Sequence, residues 1–250
     1  MAETPLLEVV GVTKHFGGVY ALTDVRLAVA DGEVHALIGP NGAGKTTLIH
    51  IVSGALRPDA GRIAFAGRDV TPLSMHSRSA AGIARSYQVT NLFSRLSALD
   101  NVALAVQARS GTSFRFWRPV QRETQIFDDA REVLAQVGLA GREGRRAGSL
   151  AHGEQRRLEV ALALATRPRL LLLDEPMAGL GPEESEPMVE LIAGLARHAS
   201  LLLIEHDMDA VFRLAQRISV LVGGRIVFSG LPDEVRAHPE VRQAYLGEAS

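Results

Sequence analysis

Short uninterrupted apolar runs, each closed by a charged or turn-forming residue, recur in the first and last thirds of this sequence. Runs of that length fit strands buried on both faces. They predict strands over 6–10, 25–30, 33–38 and 62–66, and again over 169–173, 201–205, 217–222 and 225–228. Asp31-Gly32 and Gly223-Gly224 fall between successive runs and read as hairpin turns. Apolar residues at helical spacing predict helices over 45–54, 99–108, 124–137, 153–166, 183–196 and 207–215. Strand and helix alternate at both ends of the chain, which predicts an α/β fold with a mostly parallel sheet and antiparallel hairpins at its two ends. Between Thr90 and Arg157 no strand pattern occurs, so that stretch reads as a helical insert.

Composition narrows the field. The 250 residues carry 27 basic and 28 acidic side chains, a formal net charge of −1, so bulk charge holds no nucleic acid here. Apolar residues make up 46% and charged ones 22%, a globular balance that excludes a disordered chain. The absence of cysteine removes disulfides, thiolate metal ligands and thiol nucleophiles together. The opening MAETPLLEVV lacks the basic start and long apolar core of a signal peptide. The most apolar stretch, 158–173, is interrupted by Glu159, Arg167, Pro168 and Arg169, short of the about eighteen residues a spanning helix needs. The expectation is a soluble cytoplasmic chain.

Chemistry concentrates at a few strand ends. Gly39-Pro40-Asn41-Gly42-Ala43-Gly44-Lys45-Thr46 follows the run VHALI and opens a helix, the context in which G-x-x-x-x-G-K-[ST] binds phosphate. Glycines let backbone N–H groups close around phosphate oxygens, and the helix start adds partial positive charge. Lys45 can reach terminal phosphates and the Thr46 hydroxyl can ligate Mg2+. Asp174 and Glu175 end the run Leu170–Leu173; Asp174 fits a metal partner, and Glu175 could orient or deprotonate an attacking water. His206 follows the run LLLIE, and strand carboxyl ends converge on the ligand crevice of such sheets. Gln88 lies where sheet passes into helical insert, a neutral amide suited to sensing metal and water. Leu150-Ala151-His152-Gly153-Glu154-Gln155 precedes a strong helical run and offers a second helix start for an anion. In the insert, Phe114, Arg115, Phe116, Trp117 and Arg118 form an aromatic-basic cluster that reads as a surface loop or as a patch facing a membrane partner.

In this order, over 6–247, these segments resemble the ATP-binding cassette of an ABC transporter. That resemblance implies a P-loop NTPase core with an antiparallel β subdomain (about 1–89 and 158–250) and a helical subdomain (about 90–157). It implies that Phe16 stacks on adenine, and that Asn41, Gly42, Ala43, Gly44, Lys45, Thr46 and Thr47 wrap the phosphates of ATP. Thr46, Gln88 and Asp174 would hold Mg2+, Glu175 would be the general base, and His206 would touch the γ-phosphate. Gly153 and Glu154 would meet ATP held by a second cassette in a head-to-tail dimer. Two departures stand out. Ala151 and His152 replace the serine and first glycine of the usual L-S-G-G-Q signature, and Gly181 stands where many cassettes have aspartate.

LA-x-GEQRRLE, EP-x-AGL, Ile204–Met208, the insert loop 109–122 and the ending AYLGEA are similar to the cassettes of branched-chain amino-acid importers. Relatives serve urea, amides or lipopolysaccharide export. The partners so implied are a second cassette, transmembrane permease subunits and, indirectly, an extracytoplasmic substrate-binding protein. The implied location is the inner face of the cell membrane. A metabolic P-loop kinase would share Gly39–Thr46 without needing Gln88, Gly153 or the Asp174-Glu175 pair ahead of His206.

Overall fold

The computed structural model describes residues 4–86, 92–109 and 120–241 (side chains of the last segment from 124), so Gln88, the 114–118 cluster and the 244–249 motif lie outside the described residues. The chain opens with a hairpin, β1 (Leu7–Phe16) and β2 (Val19–Val29), followed by β3 (Val34–Ile38) and α1 (Lys45–Ser53). Next come β4 (Ala60–Phe65), β5 (Arg68–Asp69), α2 (Met75–Ala81) and β6 (Ile83–Arg85). The helices α3 (Ala98–Arg109), α4 (Val120–Gln136) and α5 (His152–Leu164) intervene before β7 (Leu170–Asp174). The rest is α6 (Pro182–Leu195), β8 (Ser200–Ile204), α7 (Met208–Leu214), β9 (Arg217–Val222), β10 (Arg225–Gly230) and α8 (Pro232–Ala237).

Two sheets result. One is four-stranded and antiparallel, in the order β2-β1-β4-β5; the other is six-stranded, in the order β10-β9-β3-β8-β7-β6. In the second, β6, β7, β8, β3 and β9 are parallel and β10 pairs antiparallel to β9. Gly223 and Gly224, both at positive φ, make the β9–β10 hairpin as expected. Asp31-Gly32 does not make one. It carries the chain from β2 in one sheet to β3 in the other, and the true hairpin turns at Gly17-Gly18 between β1 and β2.

The unbroken apolar runs have a simple cause. Leu170, Leu172, Leu202 and Ile204 point to a core shared with α1 and the antiparallel sheet, which includes Val9, Val25, Leu48, Ile51 and Ile63. Their neighbours Leu171, Leu173, Leu201 and Leu203 point the other way, into a core with residues of α3 to α6 such as Val102, Leu134, Leu158 and Ile192. Ala36 and Ile38 of β3 meet Val211 of α7 and Val235 of α8 in a third cluster. With both faces covered, every position of β3, β7 and β8 is buried and polarity cannot alternate.

Candidate functional site

Strands β3, β8 and β7 are adjacent and parallel, so their carboxyl ends form one rim. Leu37 of β3 and Asp174 of β7 both register with Ile204 of β8. The loop 39–44 leaves that rim from β3, Asp174-Glu175 from β7, and Glu205-His206 from β8. The next strand, β6, ends at Arg85, three residues ahead of Gln88. A crevice at such a switch point is where ligands bind in open parallel sheets.

The loop's shape depends on glycine at two positions. A Cβ on Gly39 would overlap the carbonyl of Leu221, and one on Gly44 would lie 2.5 Å from the carbonyl oxygen of Ala21. Gly44, at φ 105°, is the N-cap of α1 and offers no side-chain cap, which leaves the helix's first N–H groups for an anion. Asn41, Gly42 and Thr46 are exposed, Thr47 is half-buried and Ala43 is buried against the core. Lys45 is buried and folds back on the loop, its Nζ donating to the carbonyls of Gly39 (2.6 Å) and Pro40 (3.0 Å). Burial pulls its pKa down, against the upward pull of Glu175 and Asp174, whose charges thus reach the same amine.

Asp174 is buried. Its Oδ2 accepts from Arg85 Nη2 at 2.8 Å, while Oδ1 is buried with no hydrogen-bond partner among the described residues. A buried carboxylate oxygen left over in this way fits a cation or its water. Glu175 adopts φ 49°, in the left-handed region that ordinary residues avoid. Its N–H donates to Ile204 O (2.9 Å) and its carbonyl accepts from Ala178 N (3.1 Å), which over-determines the turn.

His206 presents an exposed ring, 69% accessible, at the end of β8. Behind it stands a third acid of the rim, the last residue of the run LLLIE. Glu205 is buried and accepts from Met177 N (2.8 Å) and His206 N (3.1 Å), joining the segment after Glu175 to the histidine turn. Burial raises its pKa despite those two donors. Its place at the end of the run LLLIE gave no sign of the Met177 contact, because that backbone group lies 28 positions away and is brought close only by the fold.

Phe16 lies 53% exposed at the end of β1, its ring 5.6 Å from Lys14 Nζ. Asp59 fixes the preceding pair, accepting from Lys14 Nζ and His15 N, both at 2.8 Å. Gly153 and Glu154 sit apart from this rim, in the first turn of α5. Glu154 turns its carboxylate to its own chain, accepting from Ala151 N (3.0 Å) and Arg142 Nε (2.7 Å). Gly153 N donates to Glu184 Oε1 of α6 at 3.1 Å.

Comparison with known proteins identifies the family. The family model described as ABC transporter matches residues 22–178, and that of the branched-chain amino acid ATP-binding cassette transporter matches 225–250. The chain is 40% identical to the high-affinity branched-chain amino acid transport ATP-binding protein BraF of Pseudomonas aeruginosa, over 98% of this chain and 99% of that one. It is 37% identical to the lipopolysaccharide export system ATP-binding protein LptB of Acidithiobacillus ferridurans, over 97% and 95%. Among solved structures, an ABC-transporter cassette in its ADP conformation superposes with a TM-score of 0.85 at 27% identity, covering 98% of this chain and 99% of that one. A dimeric cassette in a post-hydrolysis state with ADP and Pi gives 0.76 at 25% identity, over 90% and 98%. This chain belongs to the ABC transporter family, as one of its ATP-binding, ATP-hydrolysing cassettes.

Proposed function

We propose that the chain powers an importer of branched-chain or other hydrophobic amino acids. The family match at 225–250, beyond the general cassette region, carries that assignment of cargo. In this reading two cassettes close head-to-tail on ATP. They drive permease subunits that receive substrate from an extracytoplasmic binding protein, and the cassette sits on the inner face of the membrane. The chain divides into two lobes, about 1–89 with 158–250 and about 90–157.

Within the site, Phe16 stacks on adenine and residues 41–47 hold the phosphates. Thr46, Asp174 and Gln88 would hold Mg2+, a fit supported by the leftover Oδ1 of Asp174. Bound there, the ion would neutralise phosphate charge. Lys45 exchanges its two carbonyl partners for phosphate oxygens. Glu175 takes the proton of the attacking water, and His206, held from behind by Glu205, contacts the γ-phosphate. Gly153 and Glu154 reach the nucleotide of the partner cassette.

The test is reconstitution with subunits co-purified from native membranes. Vesicles bearing the complex should take up leucine, isoleucine or valine when supplied with ATP, and a Lys45→Ala cassette should abolish uptake. A partner set that lacks any extracytoplasmic binding protein, as an exporter would have, overturns the import reading.

A further inference from the structure

Helix α5 begins with a defect. Its N-cap, Ala151, has the extended backbone of a capping residue (φ −60°, ψ 158°) but no oxygen to offer the first N–H groups. Serine or threonine at such a position accepts from the second or third helical N–H, and its loss to alanine typically costs about 0.5–2 kcal/mol. Here the second N–H, that of Gly153, is satisfied from another helix. Glu184, the third residue of α6, places Oε1 3.1 Å from Gly153 N and Oε2 3.4 Å from Gly181 N, the N-cap of α6 itself. One carboxylate therefore spans the starts of two helices, a favourable position for negative charge at both. A Cβ at 153 would lie 2.7 Å from Glu184 Oε1, so a side chain there would push this carboxylate aside. A second contact runs in parallel. The His152 ring lies against Gly179, its Cε1 3.3 Å from where a Cβ would stand.

We infer that Glu184 is a positioning residue that supplies the cap Ala151 lacks and locks the start of α5 to the loop 178–181, so that both move as one body when cassettes close on ATP. The inference rests on the head-to-tail reading above for its functional half only. A lone cap would serve α5; this carboxylate also fixes the loop that follows Glu175. A shift of that loop is thereby transmitted to the helix start through two bonds to one rigid group.

The experiment is a double-mutant cycle between Glu184→Ala and Ala151→Ser, with Glu184→Gln as the conservative member. Amide exchange at Gly153 and the kcat and KM of ATP turnover are measured on the full chain. Glu184→Ala should speed exchange at Gly153 by about twofold to thirtyfold, the range a lost cap implies. It should lower kcat and leave the KM for ATP within about twofold. Ala151→Ser should restore the slow exchange, because the new hydroxyl reaches the same N–H, but only part of kcat, because serine does not hold Gly181. Glu184→Gln, which keeps one acceptor oxygen, should fall between. Equal effects of Glu184→Ala on exchange with and without the Ala151→Ser change would overturn the capping role. Unchanged kcat, or full recovery of kcat by serine alone, would overturn the link to the loop. Failure of the dimer reading is seen separately, as a Glu175→Gln cassette that stays monomeric with ATP.

Discussion

Glu175 combines two demands that rarely meet in one residue. Its backbone occupies φ 49°, a conformation that costs of order 1–3 kcal/mol for a non-glycine residue, and nothing in its local sequence requires it. The turn swings the chain off β7 so that Asp174 and Glu175 both act on the Lys45 amine. Glycine would relieve the strain, so the side chain must justify it. Glu175→Gln keeps the volume and the turn but removes the carboxylate that the proposed mechanism uses as base. Turnover should fall by about 10²–10⁴-fold, the worth of a positioned general base. ATP binding should persist, and the protein should elute as a dimer with ATP on size exclusion; wild-type turnover would remove the catalytic role. Individual residues of this rim were legible because fixed spacing betrays them, as with Gly39 to Thr46, or because an acid pair closes an apolar run. Glu205 and Glu184 were not. Each serves a near backbone N–H, that of His206 or Gly181, and also one 28 or 31 positions away, and a chain position carries no trace of the distant partner.

Elements were legible in proportion to their burial. Strands β3, β7 and β8 announce themselves since both faces are covered, and α5 and α6 since each has one long apolar stripe. Strand β6 and helices α2 and α8 escaped, being three, seven and six residues long with few apolar positions. The first half of β2 escaped too, because Val19 and Tyr20 are exposed and no run forms. Asp31-Gly32 misled because the same local chemistry turns a hairpin or passes between sheets, and only the partner strand decides. The overlooked α2 matters through one side chain. Arg78 is 1% exposed and donates to the carbonyls of Ile51 (2.6 Å), Val52 (2.8 Å), Thr71 (3.0 Å) and Leu73 (3.3 Å). It thus ties down the carboxyl end of α1, the helix whose other end forms the phosphate loop. Gly54 makes room for it, since a Cβ there would sit 3.1 Å from the Arg78 Cδ and Nε. Arg78→Met should cost about 2–5 kcal/mol overall, since a carbonyl stripped of its donor loses about 1–3 kcal/mol only where no other donor remains, and Ile51 O keeps the N–H of Gly54. At about 2–4 °C per kcal/mol for a chain of this size, the thermal midpoint should drop by roughly 5–15 °C. Lysine should rescue little, because a single ammonium cannot spread its donors over four separate carbonyls as the guanidinium fork does. A midpoint unchanged in Arg78→Met would show that α1 is held by apolar packing alone.

Apolar cores hold both the sheets and the helices beyond them, and charge adds a tie where α3, α4 and the turn before β7 meet. Asp129 of α4 is the meeting point. It accepts from Gln125 Nε2 (2.8 Å) in its own helix, from Arg109 Nη2 (2.9 Å) at the end of α3, and from Arg167 Nη2 (3.2 Å) in the turn before β7. Arg109 in turn donates to Ala165 O at 3.0 Å, so three segments meet at the carboxylate and Arg109 ties in the end of α5. The Gln125 hydrogen bond is the largest cause that holds its pKa below the ordinary 3.8, with burial opposing and Arg109 and Arg167 adding to the depression. The sign follows from linkage. A carboxylate with a depressed folded pKa contributes stability in full above its unfolded value, and that stability is lost as pH falls through the folded one. The contribution is modest, because Arg167 is largely exposed and solvent screens its half of the network. Asp129→Asn should therefore be less stable than wild type at neutral pH, and the difference should close as pH falls below about 4. The loss should also be local, with amide exchange rising in α3 and α4 and unchanged in β3, β7 and β8, whose stability rests on buried leucines. If acid melts both proteins with the same gap in midpoint at every pH, Asp129 acts through shape rather than charge. If exchange rises equally in the parallel sheet, the helices and the nucleotide-binding core unfold as one unit, and the tie at Asp129 secures the phosphate loop as firmly as it secures its own helix.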